Sequence, residues 1–212
     1  MTTLSVRFAH PDRDARFVSS FSMSVLRQTM LDCGVTAITI GSTFRPPGDQ
    51  ARVMYDNVVA QMVKDPTSTR SMYRGRPGEP VEAVARQDLQ RAQLGLRDGF
   101  DPNRPLPLPS HSIDSMTRAI QRLEEQHGSG CVSHHQLRTP LLDVLDVGSK
   151  TLQPHGQLAK FIKALTALSV VKRLGLPGGL TKYSHKHFVE TATAIHLEII
   201  QPEAVERWNR TA

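Results

Sequence analysis

The segment Thr193–Ile200 places the tightest constraint on the fold. Ile195, Leu197 and Ile199 alternate there with Ala194, His196, Glu198 and Ile200. A period of two is the period of a strand, so the segment predicts a β-strand with two unlike faces. The face of Ile195, Leu197 and Ile199 must be core. His196 and Glu198 then stand side by side on the other face. Polar groups in a mostly buried sheet are costly unless paired. The pair therefore predicts either a hydrogen-bonded imidazole–carboxylate couple or a metal ligand beside a carboxylate.

Elsewhere the chain mixes helical and strand patterns. Pro11–Cys33 reads as one long helix stopped by Gly34, and Thr36–Ile40 as a strand. Gly41–Gly48 is a loop, and Asp49–Val63 returns to helical period through Ala51, Met54, Tyr55, Val58 and Met62. Pro66–Pro80 is turn-rich, and Val81–Leu94 reads as a polar helix. Pro102, Pro105, Pro107 and Pro109 make a stiff connection to a helix capped by Ser110 or Ser112 and ended by Gly128 and Gly130. Cys131–Ser133 and Leu142–Val147 read as short strands, Gln157–Leu168 as a helix and Pro177–Gly179 as a turn. No βαβ rhythm is evident, so the class predicted is α+β.

Composition narrows the function classes. The 212 residues suit one domain, at about 100–200 residues per domain. Two cysteines, Cys33 and Cys131, exclude a disulfide scaffold and an all-cysteine metal cage. Cys131 is expected to pack as a small apolar side chain. Aromatic residues are 5% of the chain, which counts against stacking platforms for single-stranded nucleic acid. The net charge of +6 suits a polyanionic partner or a solubilising surface. No segment has the length of a membrane span or a secretory leader. The expectation is a chain made in the cytoplasm without a signal peptide.

Nine histidines invite a search for metal chemistry. His134 and His135 follow the expected Cys131–Ser133 strand. Asp143 and Asp146 have opposite parity on the Leu142–Val147 strand, so only one of them shares a face with inward polar groups. A catalytic zinc takes three protein ligands from His and Asp or Glu and keeps one open position. His135, one of Asp143 or Asp146, and His196 would supply such a set from three segments. HExxH is absent, which excludes the helix-borne zinc protease route. His185 and His187 have His-x-His spacing and read as a second metal site or as exposed polar residues.

Ile38-Thr39-Ile40-Gly41-Ser42-Thr43-Phe44-Arg45-Pro46-Pro47-Gly48-Asp49-Gln50 resembles the opening motif of the D-alanyl-D-alanine carboxypeptidase and hedgehog-like zinc peptidases. That group includes phage and bacterial peptidoglycan peptidases. In the resemblance Phe44 stands for an aromatic Tyr, Arg45 for the motif Arg and Gln50 for its amide. Ser133-His134-His135 resembles the family's Ser-x-His, which makes His135 rather than His134 the ligand. Leu142–Val147 resembles the Asp-bearing strand and selects Asp146, although ten residues separate it from His135 and the family's Gly is missing. Asp143 stays open. Ala194–Ile199 resembles the closing strand, with His196 as the second His ligand. The family's usual catalytic carboxylate position holds Thr193. Glu190 matches the hedgehog-like spacing, and Glu198 competes with it.

The resemblance implies a small antiparallel sheet carrying a Zn2+ site, flanked by helices. It implies one zinc-peptidase-like domain over residues 1–212, with motifs from 38 to 200 and residues 1–35 as an N-terminal helical extension. The activity implied is that of a metallopeptidase, a cell-wall hydrolase such as a carboxypeptidase or an endolysin, cutting a stem-peptide or cross-link bond of peptidoglycan. His135, Asp146 and His196 would hold the zinc. Glu190 or Glu198 would act as general base, Arg45 as an oxyanion or carboxylate partner, and Gln50 and Ser133 in substrate binding. The partner expected is a peptidoglycan peptide, with no nucleic acid and no membrane span. The site of action would be the cell wall or periplasm after release or delivery. The alternatives are a non-catalytic wall- or partner-binding module on a degenerate peptidase fold, and a basic nucleic-acid-binding protein.

Overall fold

The strand pattern at the C-terminal end is realised as an inner strand of a six-stranded mixed sheet. The computed structural model describes residues 3–65, 71–93, 109–137, 139, 141–152, 156–177, 187–190 and 194–203. Its strands are β1 (Ser5–Phe8), β2 (Ala37–Ser42), β3 (Leu142–Gly148), β4 (Val171–Pro177), β5 (His187–Glu190) and β6 (Ala194–Ile200). They lie in the order β1-β2-β3-β6-β4-β5. The class is α+β, as expected. The sheet is larger than expected and not purely antiparallel. The β2-β3-β6-β4 stretch is antiparallel, whereas β1 runs parallel to β2 and β5 parallel to β4.

The chain divides into two compact units, residues 1–44 with 138–212 and residues 45–137. The first holds the sheet and three helices: α1 (Pro11–Asp14), α2 (Ser20–Cys33) and α6 (Gln157–Ala167). Its core joins Leu26 and Met30 of α2, Phe161, Ile162 and Leu165 of α6, and the aliphatic face Ile38, Ile40, Leu145, Val147, Ile195, Leu197 and Ile199. Within the expected extension over residues 1–35, residues 3–35 are thus no helical extension. They supply the edge strand β1 and a core helix, and the β1–α2–β2 passage is a parallel crossover of the kind adjacent parallel strands require.

The long helix expected over Pro11–Cys33 is broken for an electrostatic reason. The Asp14 carboxylate is fully buried, and it accepts from Arg13 Nε at 2.9 Å, Arg13 Nη2 at 2.7 Å and Thr43 Oγ1 at 2.8 Å. Burial favours the neutral acid, but these hydrogen bonds outweigh it and hold Asp14 below the usual carboxylate value. A single 3-10 turn, Ala15–Phe17, and an extended Val18 follow. Ser19 then caps α2, its Oγ accepting from Ser22 N–H at 3.0 Å. Gly34 closes the helix in the left-handed region at φ 69°, as the stop signal predicted.

The second unit is built from α3 (Pro47–Lys64), α4 (Glu79–Gln93) and α5 (Pro109–His127). Pro47 at the first helical turn suits a position whose N–H needs no partner. The core holds Met54, Tyr55, Val58 and Met62 of α3, Val81, Ala85 and Leu89 of α4, and Ile113, Met116 and Ile120 of α5. The apolar periods found in the sequence are the buried faces of α3 and α5. Cys131–Ser133 is not a strand; it leads into a 3-10 turn over His134–Gln136. Among the described residues no helix is long and apolar enough to cross a membrane. Residues 178–179 of the expected Pro177–Gly179 turn lie outside the described residues.

Among the described residues Phe161 is the largest fully buried side chain. Phe161→Ala is expected to lower the unfolding free energy by about 3–5 kcal/mol in a urea titration. Leu31, 54% exposed, serves as the control: Leu31→Ala should change it by no more than ~0.5 kcal/mol. Comparable losses in both variants would contradict this location of the core.

Candidate metal centre

Antiparallel pairing places the first two side chains. Asp146 on β3 is the direct cross-strand partner of His196 on β6, so both project from one face of the sheet. His196 Nδ1 lies 3.2 Å from Asp146 Oδ1. Glu198, two residues along, shares that face, and its Oε1 lies 3.2 Å from His196 Nε2. Arg173 on β4 is the cross-strand partner of Glu198, with Nη1 3.8 Å from Oε1. A polar row of Asp146, His196, Glu198 and Arg173 thus crosses three strands. The same register turns Leu145, Val147, Ile195 and Leu197 to the core.

Asp143 has another task. Its parity differs from that of Asp146, and its Oδ2 accepts from Ser19 N–H at 2.8 Å. The carboxylate therefore sits at the start of α2, where the helix dipole favours negative charge. Gln201, just past β6, strengthens this corner by accepting from Ser19 Oγ at 2.7 Å and donating to Ser22 Oγ at 3.1 Å.

His135 is positioned by a tight turn. Ser133 is extended, and its carbonyl accepts from Gln136 N–H at 2.9 Å. Ser129 Oγ donates to the Gln136 carbonyl at 2.8 Å. Arg45 N–H donates to the His135 carbonyl at 2.8 Å, so the backbone of the Arg45 motif holds the backbone of the Ser-x-His motif. Gly130 is required beside this turn: its φ is +82°, and a Cβ there would meet Leu137 Cγ at 2.5 Å.

The ligand atoms of His135, Asp146 and His196 all lie within 4.8 Å of one another. His135 and His196 are buried and Asp146 is half-buried. Two imidazoles and a carboxylate at this separation can hold a metal ion, and the donor types suit zinc. His134 and Asp143 lie outside this group. Burial disfavours the charged form of His196, but the hydrogen bonds and charges of Asp146 and Glu198 overcome it and raise the imidazole from 6.5 to about 9.

The other candidates are not members of this ligand group. Arg45 and Ser133 are half-buried. Gln50 is buried on the first turns of α3, and its Oε1 has no hydrogen-bond partner among the described residues; nor has either amide atom of Gln136, next to His135. Gln136 escaped the sequence reading because nothing marks an amide as buried inside a polar run. Glu190 ends β5 as the register partner of Pro177. Thr193 and His185 lie outside the described residues, and His187 begins β5. Arg173 also escaped notice. A register shift between Val171 and Arg173 breaks the alternation of β4, although Leu174 and Leu176 keep it further on. No family model, curated protein or solved structure matches the chain.

In the metal-free protein, NMR titration of His196 should give a midpoint near 9, and Asp146→Asn should lower it. The folded value lies above the unfolded value of 6.5, so the stabilisation is full below about pH 6.5 and is lost as pH rises through about 9. Urea stability should fall across that window in the wild type and less in Asp146→Asn. A midpoint near 6.5 in both proteins would contradict the geometry.

Proposed function

We propose that the chain is a zinc-dependent peptidoglycan peptidase with a hedgehog/DD-peptidase-like fold, hydrolysing a stem-peptide or cross-link peptide bond. The observation that carries this reading is the convergence of His135, Asp146 and His196. These are the three residues that the resemblance selects, one from each of its last three motifs. His135, Asp146 and His196 would hold the zinc, which when bound would bring the pKa of a water down to about 7 and provide a Lewis acid for the scissile carbonyl.

This chain's own residues do the rest. Glu190 takes the general base role, accepting the proton of the attacking water and returning it to the leaving amine. Glu198 is assigned a different part in this reading. It faces Nε2 of His196, and the two ring nitrogens point away from each other, so it stands off the Nδ1 side that Asp146 shares. Arg45 binds a substrate carboxylate or the developing oxyanion. Gln50 keeps an acceptor with no partner among the described residues, which suits it to a substrate N–H. The net charge of +6 favours an anionic wall polymer, reached by release or delivery. A wall-binding module without catalysis is the second reading, favoured by Thr193 at the family's usual carboxylate position.

Protein purified without chelator should contain about one zinc per chain by elemental analysis, and His135→Ala and His196→Ala should lose it. Purified peptidoglycan should release free amines with the wild type. Glu190→Gln should be slower by at least ~100-fold while keeping its zinc. Zinc without amine release would select the binding module. No zinc even after its addition would overturn both the enzyme and the metal centre.

A further inference from the structure

The metal centre needs one particular nitrogen of His196. Asp146 lies at Nδ1, and Asp146 and His196 belong to the same ligand group. A metal shared by these two residues would therefore be reached through Nδ1. A neutral imidazole carries its proton on one nitrogen only, so Nδ1 is free for a metal when Nε2 carries it. That proton needs an acceptor, because Nε2 belongs to a side chain with little exposure. Glu198 Oε1 stands at 3.2 Å from Nε2.

Glu198 is itself a group that demands explanation. Its side chain is 1% exposed, and a carboxylate that deep is costly without compensating partners. The His196 imidazole faces it along its own strand, and the Arg173 guanidinium faces it from β4. Arg173 is the more exposed partner and reaches in from the rim of the row. The cross-strand register fixes all three together, since Arg173 opposes Glu198 and Asp146 opposes His196.

We propose that Glu198 is the positioning residue of the metal centre: it accepts the Nε2 proton of His196, sets the tautomer and ring orientation that presents Nδ1 to the metal, and is anchored by Arg173. The proposal rests on the metal reading of His135, Asp146 and His196. Glu198 touches neither substrate nor metal, and acts through His196. Carboxylate partners of this kind raise the basicity of a ligating imidazole, and their loss typically weakens metal binding 10–100-fold.

The test measures zinc affinity by competition with a chromophoric chelator, together with long-range 15N NMR of the His196 ring. In the zinc-loaded wild type, Nε2 should carry the proton and Nδ1 the metal. Glu198→Ala should bind zinc roughly 10–100-fold more weakly. Glu198→Gln keeps an acceptor oxygen and should recover most of that affinity. Arg173→Ala should weaken binding by less than Glu198→Ala, with the Nε2 proton retained. Zinc bound at Nε2, or Glu198→Ala with wild-type affinity, would overturn the positioning role and leave the metal centre standing. A wild type that binds no zinc would overturn the metal centre and this role with it. The wild-type spectrum decides the tautomer even if Glu198→Ala fails to fold.

Discussion

The register between β3 and β6 is the constraint on which the rest depends. Seven consecutive pairs run from Leu142 opposite Ile200 to Gly148 opposite Ala194. Because strand side chains alternate, this one register does two things at once. It turns Leu145, Val147, Ile195 and Leu197 into the core, and it brings Asp146 against His196 on the other face. A slip by one residue would send the aliphatic row outward and separate carboxylate from imidazole. Core packing thus enforces the geometry of the polar row without any polar residue having to select it.

The corner at Asp143 shows how neighbouring carboxylates are kept apart. Asp143 and Asp146 differ by three positions and therefore by face. The Asp143 side chain is drawn to Ser19 N–H at the start of α2, and Ser19 and Ser22 are tied in turn to Gln201 beyond β6. The helix that covers the sheet is thereby attached at the end of the two strands that carry Asp146 and His196. The polar row and the core helix share a support, so the side chains at the candidate centre rest on elements whose own positions are set by burial.

Much of this was legible in the sequence wherever one period ran uninterrupted. Thr193–Ile200, Leu142–Val147, Asp49–Val63 and Gln157–Leu168 all correspond to elements found. The misses have particular causes. β1 has only four residues, too few for an alternation to stand out. β4 is disguised by its register shift near Arg173. The helix expected through Pro11–Cys33 is interrupted because Asp14 turns inward to Thr43, a partner far along the chain that periodicity cannot reveal. Parity alone separated Asp143 from Asp146 but did not say which faced the histidine; Ser19 answers that. The choice between His134 and His135 was carried by resemblance, and the 3-10 turn supplies its geometry.

In the proposed centre, two imidazoles and one carboxylate, from His135, Asp146 and His196, would hold zinc. X-ray absorption at the zinc edge of the loaded protein tests it most directly. The spectrum should show two imidazole nitrogens among low-mass neighbours and no sulfur, and His135→Ala should remove one imidazole. Sulfur scattering from Cys33 or Cys131, or a zinc without imidazole neighbours, would contradict it.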